Sequence, residues 1–530
     1  VAVCATLACL AVTTLVGAGA ARAASTTPVP VVVDTDIFSS ADDVGALATA
    51  FSLELRHEAK VIAVAVNTRL SRPAVALNSW RCVAAIDSFY GFPNVPIGTH
   101  MPNNGTDVNT PDFIGPCAQL APASTPTPDT AVNVYRRALA AQADGSVVIA
   151  STGYLVNLAD LLKSPPDSIS PLSGLSLVAQ KVRMLVVMGG GYPSRSYENN
   201  LGGDPPDAQY VANNWPGKLV WSGYEVGDQV HTGSTLATAL PTNSPVRAAY
   251  LAFVGPGNWY YSYDLTAAYH AIRPTDPLLS EVGPGSNAVD SSGGNVFTFG
   301  SGNQYYLTLS DAGGLAGTLE TLLDTLPLPS SGTATCNGLY GGNATNVVVP
   351  SGGTCTLVAG TQVSGSVQVQ PNGTLIDNGA SIGQGLSANS PAGIGIGGGS
   401  IGANVQIAGL SGEGPGAGGD SYLCATKVVG DVQIQNGLHG AGKMVIGGTA
   451  DCSGQQGGNT FGHDVKVQSN ADGINFSNNQ VVHDFVVQSN TGGTVVNANR
   501  IGHDATCQGN TPAATGTGNT IGHVNNGCPS

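Results

Sequence analysis

The sequence predicts an open α/β sheet domain followed by an all-β solenoid, and three observations carry that reading. Between residues 30 and 329, short β-branched apolar runs alternate with stretches of helical periodicity. Beyond that point the helical signals stop, and more than half of the chain's 73 glycines accumulate there. Inside the glycine-rich part a His-containing motif returns every 20 residues, and a fixed period of that length marks a solenoid with one turn per repeat.

The elements follow in chain order. Residues 1–24 hold an apolar stretch from Val1 to Val16 and end in Ala21-Arg22-Ala23-Ala24, the pattern of a secretory signal peptide without its basic start. No later segment approaches the ~18 apolar residues of a membrane span, so the expectation is a secreted protein. Residues 25–328 read as the α/β domain. Its strands are expected at 30–33, 60–66, 146–150, 183–188 and 218–221, and its helices at 41–55, 72–90, 130–141, 154–163 and 264–273. In such a sheet the ligand site lies just beyond the strand ends. Residues 329–335 are the expected linker, and residues 336–530 the solenoid.

Low complexity alone would suggest disorder in that last part, which has only five aromatics, Tyr340, Tyr422, Phe461, Phe476 and Phe485. The register argues otherwise. Gly462-His463-Asp464, Val482-His483-Asp484, Gly502-His503-Asp504 and Gly522-His523 repeat in step, and Gln468/Asn470, Gln488/Asn490 and Gln508/Asn510 share one offset. Alternation places each His on or beside the apolar face, so stacked turns would form a column of four largely buried imidazoles. A line of ligands cannot converge on one ion, which favours a structural column. The Asp464, Asp484 and Asp504 column is open to either cations or hydration.

Charge and cysteines narrow the class. A net charge of −15, from 19 basic against 34 acidic residues, leaves no basic stripe for nucleic acid. Eight cysteines remain once Cys4 and Cys9 leave with the signal, an even number that suits an oxidising compartment. Proximity along the chain pairs Cys82 with Cys117, Cys336 with Cys355, Cys424 with Cys452 and Cys507 with Cys528.

The chemistry concentrates at the first strand. Asp34 and Asp36 follow Val31–Val33, and Asp42 and Asp43 open the next helix. Four carboxylates within ten residues repel one another unless a cation sits among them, and Ca²⁺ accepts irregular oxygen shells. The helix dipole is the alternative for Asp42 and Asp43, but it does not account for Asp34 and Asp36.

This Asp-x-Asp strand end with a paired Asp-Asp beyond it resembles the nucleoside hydrolases, the inosine-uridine type N-ribohydrolases. Asn67, the run 94–98, Thr152-Gly153-Tyr154-Leu155-Val156-Asn157-Leu158, Met188-Gly189-Gly190, Glu198-Asn199-Asn200 with Asp204-Pro205, and Asp264 continue the resemblance in order over about residues 30–325. The resemblance implies an enzyme that cleaves the N-glycosidic bond of a ribonucleoside or related riboside. It assigns Asp36, Asp43, Asp264 and the Thr152 carbonyl to Ca²⁺. It makes Asp36 the base for the coordinated water, gives Asp42, Asn67, Glu198 and Asn200 to the ribose, and makes Asp34 a support. Independently, surrounding carboxylates favour the positive charge that develops on a ribosyl ring as the bond breaks.

Two departures stand out. The loop Ile37-Phe38-Ser39-Ser40-Ala41 is two residues longer than the family's usual spacing and lacks its glycine, which makes Phe38 a candidate to crowd the pocket. Tyr263 stands where the best-known members carry a His that protonates the leaving base, so Tyr263 becomes the candidate acid. Trp259, Tyr260 and Tyr261 are further candidates for stacking or proton donation. Two function classes follow. One is a secreted Ca²⁺-dependent hydrolase whose solenoid binds a cell surface or wall polymer. The other is a catalytically impaired ribose- or metal-binding protein, or a surface-structural one.

Overall fold

The computed structural model describes residues 27–38, 40–67, 73–100, 113–448 and 457–530. The expected signal peptide and Cys452 lie outside the described residues. No helix among those described is long and apolar enough to cross a membrane.

The first region is one mixed sheet of eleven strands flanked by helices. Its strands are β1 (Val29–Thr35), β2 (Ala59–Val66), β3 (Ile97–Thr99), β4 (Asp129–Thr130), β5 (Val147–Ser151), β6 (Val182–Met188), β7 (Ser194–Arg195) and β8 (Lys218–Ser222). A separate two-stranded ribbon follows, β9 (His231–Thr232) with β10 (Tyr260–Tyr261), and then β11 (Leu279–Val289), β12 (Asn295–Phe299) and β13 (Gln304–Leu309) return to the main sheet. The sheet order is β4-β3-β2-β1-β5-β6-β8-β13-β11-β12-β7. From β4 through β13 every neighbour is parallel, and β13-β11-β12-β7 adds an antiparallel edge. Val31, Val32 and Val33 are fully buried, as a central strand covered on both faces requires.

The five expected strands and five expected helices all form. The antiparallel edge was not expected from sequence, because Gly283-Pro284-Gly285 interrupts β11 like a turn. In the structure that triplet is absorbed as a register shift against β13 between Val282 and Gly285.

The glycine-rich region is a solenoid of three parallel sheets, with nine, ten and nine strands. Each turn adds one short strand to each sheet. Val465 pairs with Phe485, Phe485 with Ala505 and Ala505 with Asn525, which is the 20-residue period seen in the sequence. Val405 pairs with Val432, and Val432 with Val465, across longer turns that carry insertions. Inside, Val, Ile and Phe from successive turns stack into a single core.

Polar columns run along the corners. Asn459, Asn479, Asn499 and Asn519 form one chain of side-chain amides at 2.9–3.1 Å, and Asn470, Asn490 and Asn510 form another at 2.9 and 3.0 Å. Each amide also serves the backbone of adjoining turns. Asn479 Nδ2 donates to the Ile446 carbonyl, and Asn479 Oδ1 accepts from the Asn459 backbone N–H. The Asp column is bonded in the same way. Asp431, Asp464, Asp484 and Asp504 each accept a backbone N–H from the next turn at 3.0–3.3 Å, so these side chains tie one turn to the next.

The His column exists but is not buried. Rings of His463, His483, His503 and His523 stack with centroids 5.1, 5.4 and 4.7 Å apart, yet all four residues are exposed. Simple alternation fails here because the chain turns a corner between Phe461 and Val465, which swings the intervening His outward.

The two regions touch directly. Thr333–Thr335, expected as linker, already pairs in parallel with Asn346–Val349. The helix Asp42–Leu55 ends against the first solenoid turns, where the Leu55 carbonyl accepts from Gly342 N–H at 3.0 Å. Three disulfides follow the proximity expectation, Cys82–Cys117, Cys336–Cys355 and Cys507–Cys528. Cys424 is also disulfide-bonded.

Candidate active site

Strand order places the site. Because β2, β1, β5 and β6 are consecutive, Asn67, Asp36, Thr152 and Met188 stand side by side at or just past the ends of four parallel strands. Register holds them there. Asp34 pairs with Ser151, Thr35 pairs with Val66, and Thr152 N–H donates to the Asp34 carbonyl at 2.7 Å. The backbone after Thr152 must pass close to this corner. A Cβ at Gly153 would lie 2.6 Å from Asp36 N and 2.7 Å from Asn67 Oδ1, so only glycine fits.

Asp42 and Asp43 start the helix Asp42–Leu55, and Asp264 lies in the first turn of the helix Tyr263–Ile272. These two helices pack together, and their N-termini meet where the Asp264 N–H donates to Asp42 Oδ2 at 3.2 Å. Ser40 Oγ donates to the other Asp42 oxygen at 2.5 Å. Glu198 caps the short helix Asn199–Gly203, accepting from the N–H groups of Asn200, Leu201 and Gly190. Asn200 Nδ2 donates to the Met188 and Thr152 carbonyls.

A cavity of about 330 Å³ opens in front of these groups. Asp36, Asp42, Thr152, Glu198, Asn200 and Asp264 all line it, and so do Tyr260 and Tyr263. Two expected site residues stand behind the wall. Asp43 Oδ1 accepts from the hydroxyls of Thr35 (2.6 Å) and Thr152 (3.4 Å), while its buried Oδ2 has no hydrogen-bond partner among the described residues. Asn67 commits its amide N–H to Asp34 and leaves Oδ1 buried and without a partner among the described residues. Asp34 accepts from Asn67, from Tyr135 Oη at 2.7 Å and from Asn157 at 3.1 Å, so three donors brace the strand end. Tyr135 and Asn157 were not singled out in the sequence, although Asn157 lies inside the 152–158 run.

Electrostatics set this cluster apart. Burial raises the carboxyls of Asp34 and Asp36 to about 7 and that of Asp42 to about 6. Burial first, and then the negative charges of Asp36 and Asp42, push Asp43 well above the usual carboxylate range. Asp264 is raised by burial and by Asp42, Asp43, Asp36 and Glu198. Burial also raises Glu198 against its backbone donors. Among the described residues, no set of three His, Cys, Asp or Glu side chains is disposed to hold a metal ion as it stands. The carboxylates form a crowded cluster rather than a closed coordination shell.

The expected obstacle and the expected acid both turn elsewhere. Phe38 is buried in the core, stacked on Phe113 at 6.2 Å, and does not line the cavity. Tyr263 lines the cavity, but its hydroxyl donates to Asp228 at 3.2 Å. Burial, Tyr224 and Asp228 hold that hydroxyl well above an ordinary tyrosine. Tyr263 also stacks on Tyr224 and Tyr261, with centroids 5.2 and 5.4 Å apart. Trp259 stands apart, stacked on His231 at 3.7 Å.

Comparison with known proteins gives this geometry a context. No curated protein matches the sequence. Among solved structures, a plant nucleoside hydrolase is 19% identical over 56% of this chain and 99% of its own, with a TM-score of 0.43. An inosine-uridine preferring nucleoside hydrolase from Bacillus anthracis is 16% identical over 56% and 99%, with a TM-score of 0.43. A purine-preferring ribonucleoside hydrolase from Gardnerella vaginalis is 16% identical over 56% and 98%, with a TM-score of 0.44. The family model for inosine-uridine preferring nucleoside hydrolases matches residues 31–305, a segment that takes in more than half of the 530 residues and every group described above. The chain belongs to the inosine-uridine preferring nucleoside hydrolase family.

Proposed function

We propose that this protein is an exported, Ca²⁺-dependent hydrolase that cleaves the N-glycosidic bond of a riboside, releasing ribose and the free base. One observation carries the reading. Asp36, Asp42, Glu198 and Asp264 crowd buried carboxylates around a single cavity, with Asp43 directly behind them. A cluster of that kind suits both a hard cation and a sugar that turns positive as its bond breaks.

The residues fit Ca²⁺ by donor chemistry. Asp36, Asp43 and Asp264 offer carboxylate oxygens, Thr152 lines the cavity and offers a carbonyl that also accepts from Asn200, and Asp43 Oδ2 is a buried oxygen without a partner among the described residues. When bound, the ion would supply Lewis-acid activation of water and an anchor for vicinal hydroxyls. The chain's own groups do the rest. Asp36 takes the proton from the attacking water. Asp42, Glu198 and Asn200 hold the ribose hydroxyls from the cavity wall, and Asn67 supports the floor through Asp34 and its open Oδ1. The carboxylates together stabilise the developing ribosyl cation.

The leaving group receives less help. With its proton directed to Asp228, Tyr263 serves as a ring wall for an aromatic base rather than as an acid. Substrates whose base departs without protonation are therefore favoured, and a p-nitrophenyl riboside should react faster than inosine. The same observation favours the second reading, a binding protein with impaired turnover. An assay panel of purine and pyrimidine nucleosides with p-nitrophenyl riboside, run with Ca²⁺ and with chelator, decides between them. Turnover that chelator abolishes supports the hydrolase, and tight riboside binding without turnover supports the alternative.

Export is part of the same reading, supported by disulfides in both regions. The solenoid is proposed to hold the enzyme at a cell surface or wall polymer.

A further inference from the structure

Among the described residues, the acidic cavity has one cation in its wall. Arg195 lines it together with Asp36, Asp42, Glu198 and Asp264, yet it makes no ion pair among the described residues. Its position is fixed three times over. In the antiparallel edge of the sheet, Arg195 pairs with Asn295. Its Nε donates to the Tyr197 carbonyl at 2.8 Å. Its guanidinium lies 3.7 Å from the centroid of the Tyr224 ring, which in turn stacks on Tyr263. Gly191 leaves room for this side chain, since a Cβ there would sit 2.8 Å from Arg195 Cδ.

These contacts use Nε and one face of the guanidinium. The two terminal amino groups have no partner among the described residues. Neutralising the neighbouring acids would call for a direct ion pair, and Glu225, whose carboxyl does feel the charge of Arg195, stops short of one. A planar cation held this rigidly with its terminal donors free is arranged to grip an oxyanion. It also answers the repulsion that four surrounding carboxylates would exert on any anionic substrate.

We propose that the riboside taken by this pocket carries an anionic group, a phosphate or carboxylate, and that Arg195 binds it. The proposal rests on the hydrolase reading for the ribose end and adds the substrate's charge. The anion has two sources, the 5′ carbon of the sugar or the base.

Three compounds separate these sources: uridine, uridine 5′-monophosphate, and orotidine, which is uridine with a carboxylate on the base. Assayed with the full chain, one of the two anionic compounds is expected to exceed uridine at least tenfold in kcat/KM. Arg195→Gln should shrink that ratio at least tenfold, mainly through KM, and Arg195→Lys should retain part of it. The preferred compound shows which end carries the charge. Preference for uridine by the wild type, or a ratio unchanged in Arg195→Gln, overturns the proposal. If no compound is cleaved, the hydrolase reading fails while this one is still decided by calorimetry. An anionic compound that binds at least tenfold tighter than uridine to the wild type but not to Arg195→Gln upholds it. Equal binding, or no binding, overturns it.

Discussion

The asparagine columns of the solenoid and the carboxylate cluster of the hydrolase region both bury polar side chains, but they treat them in opposite ways. In the solenoid, Asn459, Asn470, Asn479, Asn490 and Asn499 are 5% exposed or less, and every amide is shared between neighbouring turns and their backbone. In the hydrolase region, Asp36, Asp42, Asp43, Asp264 and Glu198 are equally buried, yet their charges oppose one another and Asp43 Oδ2 finds no donor among the described residues. A buried polar group without compensation costs several times what a satisfied one contributes. The difference teaches where to look: satisfied polarity builds a scaffold, and conflicted polarity marks the place where a ligand is expected.

The sharpest way to break this comparison is to remove the conflict. Asp43→Ala should lower turnover at least about a hundredfold and abolish the response to chelator, while raising the stability of chelator-treated protein by removing a buried carboxyl whose ionisation burial and its neighbours oppose. Asp42→Ala should keep the metal response and chiefly raise KM for the riboside. Elemental analysis and thermal melts check both variants. A purified wild-type protein without divalent metal that is fully active in chelator would defeat the metal reading.

Acidity offers a second test of the same cluster. Burial raises the Asp36 and Asp34 carboxyls to about 7 and Asp42 to about 6, against about 4 in an unfolded chain. Between those limits the metal-free native state holds protons that the unfolded state has released. Its stability is therefore greatest at the acid end and falls as pH rises through about 6 to 7. All four tryptophans, Trp80, Trp215, Trp221 and Trp259, lie in the hydrolase region, so their fluorescence reports it selectively. In chelator, melting temperature should drop between pH 5 and pH 8, and Ca²⁺ should reverse the drop. A chelated protein that gains stability over that range contradicts the cluster as described.

On the solenoid side, Asn479→Ala removes the side chain that receives Asn459 N–H and serves the Ile446 carbonyl. Leaving those groups buried and unpaired costs about 1–3 kcal/mol each, so a total near 3 kcal/mol is expected. Circular dichroism should show an earlier denaturation transition while tryptophan fluorescence stays unchanged. A change of less than about 0.5 kcal/mol would mean that water replaces the ladder.

How much of this was legible in the sequence depended on the range of the interaction that set each feature. The parallel strands announced themselves as β-branched runs, and the solenoid as a period, because neighbours along the chain or one turn away decide them. The asparagine column at 459, 479, 499 and 519 was equally visible, four residues before each His, but went unread because Asn is also the residue of loops. The β11 to β13 edge stayed hidden behind Gly283-Pro284-Gly285. Arg195 was invisible as a site residue, since only that edge and the Tyr224 ring bring it to the cavity. The Asp cluster could be read as a group, but its inner arrangement could not. That Asp43 stands behind Asp36, and that Tyr263 directs its proton to Asp228, follow from helix packing between distant segments.

Tyr263→Phe tests that last arrangement. Because its hydroxyl bonds Asp228 rather than facing a leaving group, its loss should change kcat by less than about tenfold, below the range of a working general acid. It should do so equally for inosine and p-nitrophenyl riboside. A loss confined to inosine would restore Tyr263 as the acid.

The smallest effect is expected at the imidazole column. Its regular stacking suggests a structural device, and a buried column would be strongly destabilised by acid. The rings are exposed, His463 by 60%, so little packing is lost when they are replaced. His483→Gln with His503→Gln should leave stability within about 0.5 kcal/mol, as surface changes usually do. A thermal melt in which the double variant loses more than about 2 kcal/mol would show that the column is structural after all.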